Sequence, residues 1–291
     1  MKYYSYYPGC CLSPGGYGKS FGWSSEAVNK VIDVEFIELD DWNCCGSVPY
    51  SSLDELTSFC LCARNLALAE KRGFDLVAPC SSCYVFLNRT NSYLKQYPEL
   101  KAKVDEALAA GGLEYHGTIK VRKILDVYVN DIGYDAIAAK VKRNLDGLKI
   151  APYYGCQEVR PRFGFDHPEY PQSMDKLVAS LGGEPVPFPL KTRCCGSSLI
   201  ISEDALALDL IRKLLDSALS NGAECVATGC PLCQLNLDAY QSRVNKKFKT
   251  NFNLPILFFT QLMGVAFGLN DEDLGLKTNI IPAERVLAKY S

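Results

Sequence analysis

With 291 residues, of which 48% are hydrophobic and 22% charged, the chain is long enough for two units of roughly 100 to 150 residues each and apolar enough to pack them, which excludes intrinsic disorder. A net charge of -2, with Lys and Arg scattered among nearly equal numbers of carboxylates, excludes a polyanion-binding field and sets nucleic acid aside as a partner. Fourteen cysteines follow a start, Met1-Lys2-Tyr3-Tyr4-Ser5-Tyr6-Tyr7-Pro8, that lacks the apolar stretch of a secretory signal, so a cytoplasmic protein using thiols for metal ligation or redox chemistry is expected rather than a disulfide framework.

Residues 1 to 11 read as an aromatic-rich strand that breaks at Pro8-Gly9 and presents Cys10 at its carboxyl end, with a glycine-rich loop after it at Pro14-Gly15-Gly16-Tyr17-Gly18. Val31 to Leu39 has the composition of a buried strand and delivers the chain to Cys44-Cys45-Gly46. Ser52 and Glu55 have capping-box spacing, and Leu56, Phe59, Cys60, Ala63, Leu66 and Ala67 at helical intervals predict a helix to Arg72, closed by Gly73. Phe74 to Ala78 reads as a short core strand before the turn Pro79-Cys80-Ser81-Ser82-Cys83. Tyr84 to Ala110 reads as helical with a break near Pro98, and Lys120 to Asn130 as a helix joining the halves.

The second half repeats this plan. Leu148 to Tyr154 is a strand ending at Gly155-Cys156, Glu184 to Leu190 leads into Cys194-Cys195-Gly196, and Ala207, Leu210, Ile211, Leu214, Leu215, Ala218 and Leu219 form a helical apolar stripe. Glu224 to Thr228 is the matching strand before Gly229-Cys230. Leu254 to Leu269, interrupted by Pro255, Thr260, Gln261 and two glycines, is shorter than the roughly 20 residues of a bilayer span and reads as a buried strand leading into a helix. The expected fold is α/β, two units related by a pseudo-two-fold, with parallel strands and cysteine sites at their carboxyl ends. The division falls at 1-145 and 146-291.

The repeat sorts the cysteines. Adding 150 to Cys44, Cys45, Cys80 and Cys83 gives Cys194, Cys195, Cys230 and Cys233, and each set has a Gly-Cys upstream, at Cys10 and Cys156. Cys60, Cys62, Cys225 and Cys11 fall opposite Leu210, Arg212, Asp75 and Gln157. The first three are expected to be small apolar core or face residues. Cys11 adjoins a ligand candidate and is also expected not to ligate. Duplicated Cys-Cys-Gly and Cys-x-x-Cys at matched spacing have no explanation in packing. Five thiols per half exceed the four of a structural zinc or a cubane, and the ferredoxin run is absent, which points to an iron-sulfur site larger or more open than a cubane.

These motifs, in two copies over nearly the whole chain, resemble the paired CCG domains of the heterodisulfide reductase family of methanogens, in its catalytic B component. The resemblance implies Rossmann-like CCG units, each holding a noncubane 4Fe-4S cluster, one on Cys10, Cys44, Cys45, Cys80 and Cys83 and the other on Cys156, Cys194, Cys195, Cys230 and Cys233. It also implies reduction of the mixed disulfide of coenzyme M and coenzyme B, held between the clusters and cleaved homolytically by one electron from each side. The implied partners are a small iron-sulfur subunit with two cubane clusters, a flavin-containing subunit, and a hydrogenase or formate dehydrogenase.

The substrate of that family carries sulfonate, phosphate and carboxylate groups, so cations are expected near the thiols. Lys19, Arg160, Arg162, Lys191 and Arg193 lie close to them in sequence. His116 and His167 stand outside the repeated motifs and are expected to be surface or capping residues. Two other readings stand beside this one. The chain is also compatible with a CCG-type electron-transfer subunit, as in lactate or glycolate oxidation or thiol-driven fumarate reduction, and with a non-enzymatic scaffold holding zinc.

Overall fold

The computed structural model describes residues 1–161 and 163–290. The first sheet contains β1 (Lys2–Tyr6), β2 (Val34–Glu38), β3 (Leu76–Val77) and β4 (Val121–Arg122), in the order β2-β1-β3-β4. The second contains β5 (Lys149–Tyr153), β6 (Glu184–Pro185), β7 (Cys225–Thr228) and β8 (Ile256–Phe258), in the order β6-β5-β7-β8. Every ladder is parallel, and the two orders are the same topology repeated. Parallel pairing puts all carboxyl ends of a sheet on one side, and the cysteine loops leave from there.

Helices cover these sheets much as the apolar periodicity predicts. The segment 84–110 divides at Pro98 into the helices Ser81–Gln96 and Pro98–Ala110, and 254–269 resolves into β8 and the helix Phe259–Ala266. Among the described residues no helix is long and apolar enough to cross a membrane.

Two local expectations need correction, and one helix has no counterpart in the sequence reading. Asp54, rather than Ser52, caps the helix Glu55–Arg72, its carboxylate accepting from the Thr57 N–H at 3.0 Å. Ser52 instead belongs to a separate helix, Ser47–Leu53, where its hydroxyl donates to the Val48 carbonyl. The segment 120–130 begins as β4, turns at Lys123, and only then becomes helical, as a single turn at Ile124–Asp126 followed by a π-helical stretch at Val127–Ile132. Lys120 and Val121 are taken by the sheet, where Leu76 donates to the Lys120 carbonyl at 2.8 Å. Finally, a helix over Lys19–Ile32 carries no apolar stripe in the sequence, because its buried face is Ser20, Phe21, Ser24, Ser25, Val28, Asn29 and Ile32.

That helix joins the halves. Its Phe21 stacks on Phe258 with centroids 4.5 Å apart, and the Ser24 hydroxyl lies 2.6 Å from that of Thr260 at the start of Phe259–Ala266. Phe21, Val28 and Tyr128 from the first half share one core with Phe258, Phe259 and Leu262 from the second. Burying each phenylalanine contributes about 1.5–3 kcal/mol, so apolar packing holds the two sheets together.

Candidate metal centre

Each half builds its thiol set from three strand ends. Cys10 lies in a single helical turn, Gly9–Leu12, after β1; Cys44 and Cys45 lie in the loop after β2; Cys80 and Cys83 open the helix Ser81–Gln96 after β3. In the second half Cys156 follows β5, Cys194 and Cys195 follow β6, and Cys230 and Cys233 open the helix Pro231–Ala239 after β7. The Cys-x-x-Cys pairs thus sit at helix amino ends, where unsatisfied backbone N–H groups and the helix dipole favour thiolate.

All the thiols are free, and six of them stand in three close pairs. The Cys10 and Cys44 sulfurs are 3.9 Å apart, those of Cys45 and Cys83 3.4 Å, and those of Cys195 and Cys233 3.5 Å. Two thiolates bonded at about 2.3 Å to one tetrahedral ion would stand about 3.8 Å apart, so these pairs have the spacing of neighbours on a shared metal. Among the described residues no group of three or more His, Cys, Asp or Glu is gathered to hold a single ion.

The backbone around each set repeats in detail. Gly9 and Gly155 have φ of +64° and +72°, and a Cβ at either would lie 3.2 Å from the sulfur of Cys83 or Cys233. Glycine is therefore required twice over at these positions, for the left-handed backbone and for the room beside a sulfur. The Tyr7 hydroxyl donates to the Asn43 carbonyl at 2.9 Å, and the Tyr153 hydroxyl to the Arg193 carbonyl at 2.7 Å. Each carbonyl immediately precedes a Cys-Cys pair. Burial raises both phenols far above their ordinary pKa, which keeps them neutral donors. The sequence signal for these tyrosines was the repeated Tyr-x-Gly-Cys, visible once the halves are aligned on Cys10 and Cys156.

Within each adjacent pair one thiol is held low and its neighbour high. Cys45 is brought down to about 4, chiefly by a hydrogen bond from the Cys44 thiol and then by one from Cys83. Cys194 is brought down to about 2, chiefly by hydrogen bonds from the Cys156 and Cys195 thiols, with the charge of Arg160 adding to the effect. Their partners Cys44 and Cys195 are raised, first by the bond to the adjoining sulfur. Protons are shared between thiols in this way when several must approach anionic character together.

A cleft between the halves is lined by Ser81 and Ser82 from the first and by Tyr154, Cys156, Gln157, Cys194 and Cys230 from the second. Of the five cations singled out in the sequence, Arg160 is exposed and close enough to favour the Cys194 thiolate. Lys191 is engaged with the Asp175 carboxylate at 3.0 Å, and Lys19 lies over the Trp23 ring in a separate groove. Arg193 is exposed and adjoins Cys194, and Arg162 lies outside the described residues. His167 accepts backbone N–H groups from Glu169 and Tyr170, and His116 pairs with Glu114 on the surface, so neither enters the cleft.

Of the other four cysteines, Cys60, Cys62 and Cys225 stand outside the thiol sets, whereas Cys11 meets one of them. Cys62 and Cys225 are wholly buried, Cys62 donating to the Cys45 carbonyl at 3.5 Å, and Cys60 is half-buried on the same helix. Cys11 is buried, with its sulfur 2.8 Å from the Tyr17 hydroxyl and hydrogen-bonded to Cys80.

The cysteine-rich CCG domain family matches the chain twice, at residues 4–88 and 150–238. The chain is 33% identical to the 8-methylmenaquinol:fumarate reductase membrane anchor subunit of Wolinella succinogenes, over 98% of this chain and 99% of that one. It is 32% identical to the B component of the ferredoxin/F420H2-dependent CoB-CoM heterodisulfide reductase of Methanosarcina acetivorans, over 96% and 94%, and 32% identical to a protein of Archaeoglobus profundus named as similar to the heterodisulfide reductase B component, over 86% of each. A hypothetical protein from Helicobacter pylori has the same fold, with a TM-score of 0.79 at 19% identity over 97% of this chain, which spans about half (52%) of that longer one. The chain therefore belongs to the tandem CCG-domain family that includes the B component of heterodisulfide reductases.

Proposed function

We propose that the two thiol sets hold two noncubane 4Fe-4S clusters and that the protein is the component at which a coenzyme M-coenzyme B type mixed disulfide is reduced to two thiols. The observation that carries this reading is the cleft between the halves, where Ser47, Ser81 and Ser82 beside the first thiol set meet Cys156, Cys194, Cys195, Cys230 and Cys233 of the second. The thiol sets support the cofactor, since each offers five thiols and, among the described residues, no group gathers on one point as the four donors of a single zinc would. Such clusters supply electrons singly, and a pair of them matches the two-electron demand of a disulfide. The chain's own contribution is to bind and orient. Cys10, Cys44, Cys45, Cys80 and Cys83 would hold one cluster, and Cys156, Cys194, Cys195, Cys230 and Cys233 the other. Gln157 offers hydrogen bonds to a ligand in the cleft, and Arg160 and Arg193 offer charge to its anionic ends. Electrons would come from an iron-sulfur partner protein.

Anaerobically prepared protein, given a reduced one-electron dye and the mixed disulfide, should oxidise the dye and release two thiols. A second reading is favoured by the near full-length likeness to a protein named for fumarate reductase: the chain would then relay electrons to a partner's active site. Intact clusters with no disulfide turnover would establish the relay.

A further inference from the structure

Among the described residues Lys123 is the one buried lysine or arginine, 1% exposed, and it stands between the two thiol sets. Its ammonium donates to the carbonyl of Pro79, to that of Gly229 at 3.1 Å, and to the Ser81 hydroxyl at 3.2 Å. Pro79 and Gly229 are the residues immediately before Cys80 and Cys230. An ammonium has three N–H donors, and all three are spent here. The counter-ion is Glu158, wholly buried at 3.6 Å, which also accepts from Ser81 at 3.1 Å while its other oxygen has no partner.

This arrangement breaks the internal symmetry. Val77 pairs with Arg122 and Ala227 with Leu257, so the second-half counterpart of Lys123 is Phe258, an apolar core residue. Aligning Cys10 with Cys156 puts Leu12 opposite Glu158. Two sites built on one plan therefore share a single cation, supplied by one half, and a single counter-ion, supplied by the other. Burying an ion pair costs several kcal/mol of desolvation that an apolar pair in the same place would avoid, so its place at the junction of two turns calls for a role beyond stability.

Resting on the reading that both thiol sets carry clusters, we propose that Lys123 is a positioning residue common to the two: it fixes the Cys80 and Cys230 turns relative to each other across the junction and raises the reduction potential of both centres together. Positive charge buried near a centre stabilises its more negative, reduced state, and low surrounding polarity extends that effect to both sides.

Lys123→Met alone would leave the Glu158 carboxylate buried with Ser81 as its one donor and is expected to impair folding, whereas Glu158→Gln leaves the ammonium its three hydrogen bonds. The comparison is therefore between Glu158→Gln and the double variant Lys123→Met with Glu158→Gln, as full-length anaerobic protein, by potentiometric titration followed with electron paramagnetic resonance. The expected result is a negative shift of both midpoint potentials in the double variant relative to Glu158→Gln, with iron content equal. A shift at one site only would overturn the shared role, and no shift at either, with a lowered melting temperature, would reduce Lys123 to a structural residue. Wild-type protein without iron and sulfide would instead defeat the cluster reading. In that case alkylation rates of the thiols, followed by mass spectrometry in the same preparation, decide on Lys123: its role as tether requires Cys80 and Cys230 to change together while Cys10 and Cys194 do not, and unchanged rates would overturn it.

Discussion

The two halves share strand order, thiol spacing, the Gly-Cys turn and the tyrosine that pins the Cys-Cys loop, but they differ in what surrounds these parts. Cys11 in the first half stands against Gln157 in the second, Lys123 against Phe258, and Leu12 against Glu158. The helix Ser47–Leu53 follows the first Cys-Cys-Gly, whereas bends and turns follow the second until Asp204. The repeated features are the ones that gather sulfur. Among the unrepeated ones, Lys123 from the first half and Glu158 from the second meet at the junction of the Cys80 and Cys230 turns.

Substitutions in matched pairs test this division. The largest effect is expected from Cys194→Ser and its counterpart Cys44→Ser: on the two-cluster reading each should lose about half of the iron, measured as iron and acid-labile sulfide. Gly9→Ala and Gly155→Ala should come next and should match each other. Each forces an L-residue into left-handed backbone, at about 1–2 kcal/mol, and drives a methyl group to within 3.2 Å of a sulfur, so melting temperature and iron content should both fall. Tyr7→Phe and Tyr153→Phe should each cost about 0.5–1.5 kcal/mol in chemical denaturation, the worth of one hydrogen bond to the loop carbonyl. Cys11→Ser should separate the halves, perturbing the spectrum of the first site alone because its sulfur meets Cys80, with iron content unchanged. Cys60→Ser should alter neither iron content nor spectrum; iron loss there equal to that of Cys194→Ser would defeat the ligand assignment.

Much of the fold is legible because its signals are local and repeated. β-rich runs end at Gly-Cys or Pro-Cys, and a helix needs only an apolar stripe, as in Asp204–Ser220. The helix Lys19–Ile32 escapes that test because it packs through small hydroxyls: Ser25 turns its Oγ back on the Phe21 carbonyl, and Asn29 accepts from the Tyr128 hydroxyl at 2.7 Å. A serine whose hydroxyl is satisfied within its own helix is buried at little cost, and the sequence cannot distinguish it from one in water. Lys123 is hidden for the opposite reason. A lone lysine reads as surface, and its burial depends on carbonyls 44 and 106 residues away that only the assembled sheets bring to it. The cation candidates chosen by nearness to cysteines in the chain divide for the same reason, since Lys191 is taken by Asp175 while Arg160 faces Cys194.

Each thiol set is drawn from three strand ends separated by long stretches of chain, reaching from Cys10 to Cys83 and from Cys156 to Cys233. A centre bonded to all five sulfurs would staple those stretches as a disulfide does, closing large loops and removing conformational freedom from the unfolded chain. Filling the sites would then raise the cost of unfolding, so protein carrying such centres should melt at a higher temperature than the same protein stripped of them.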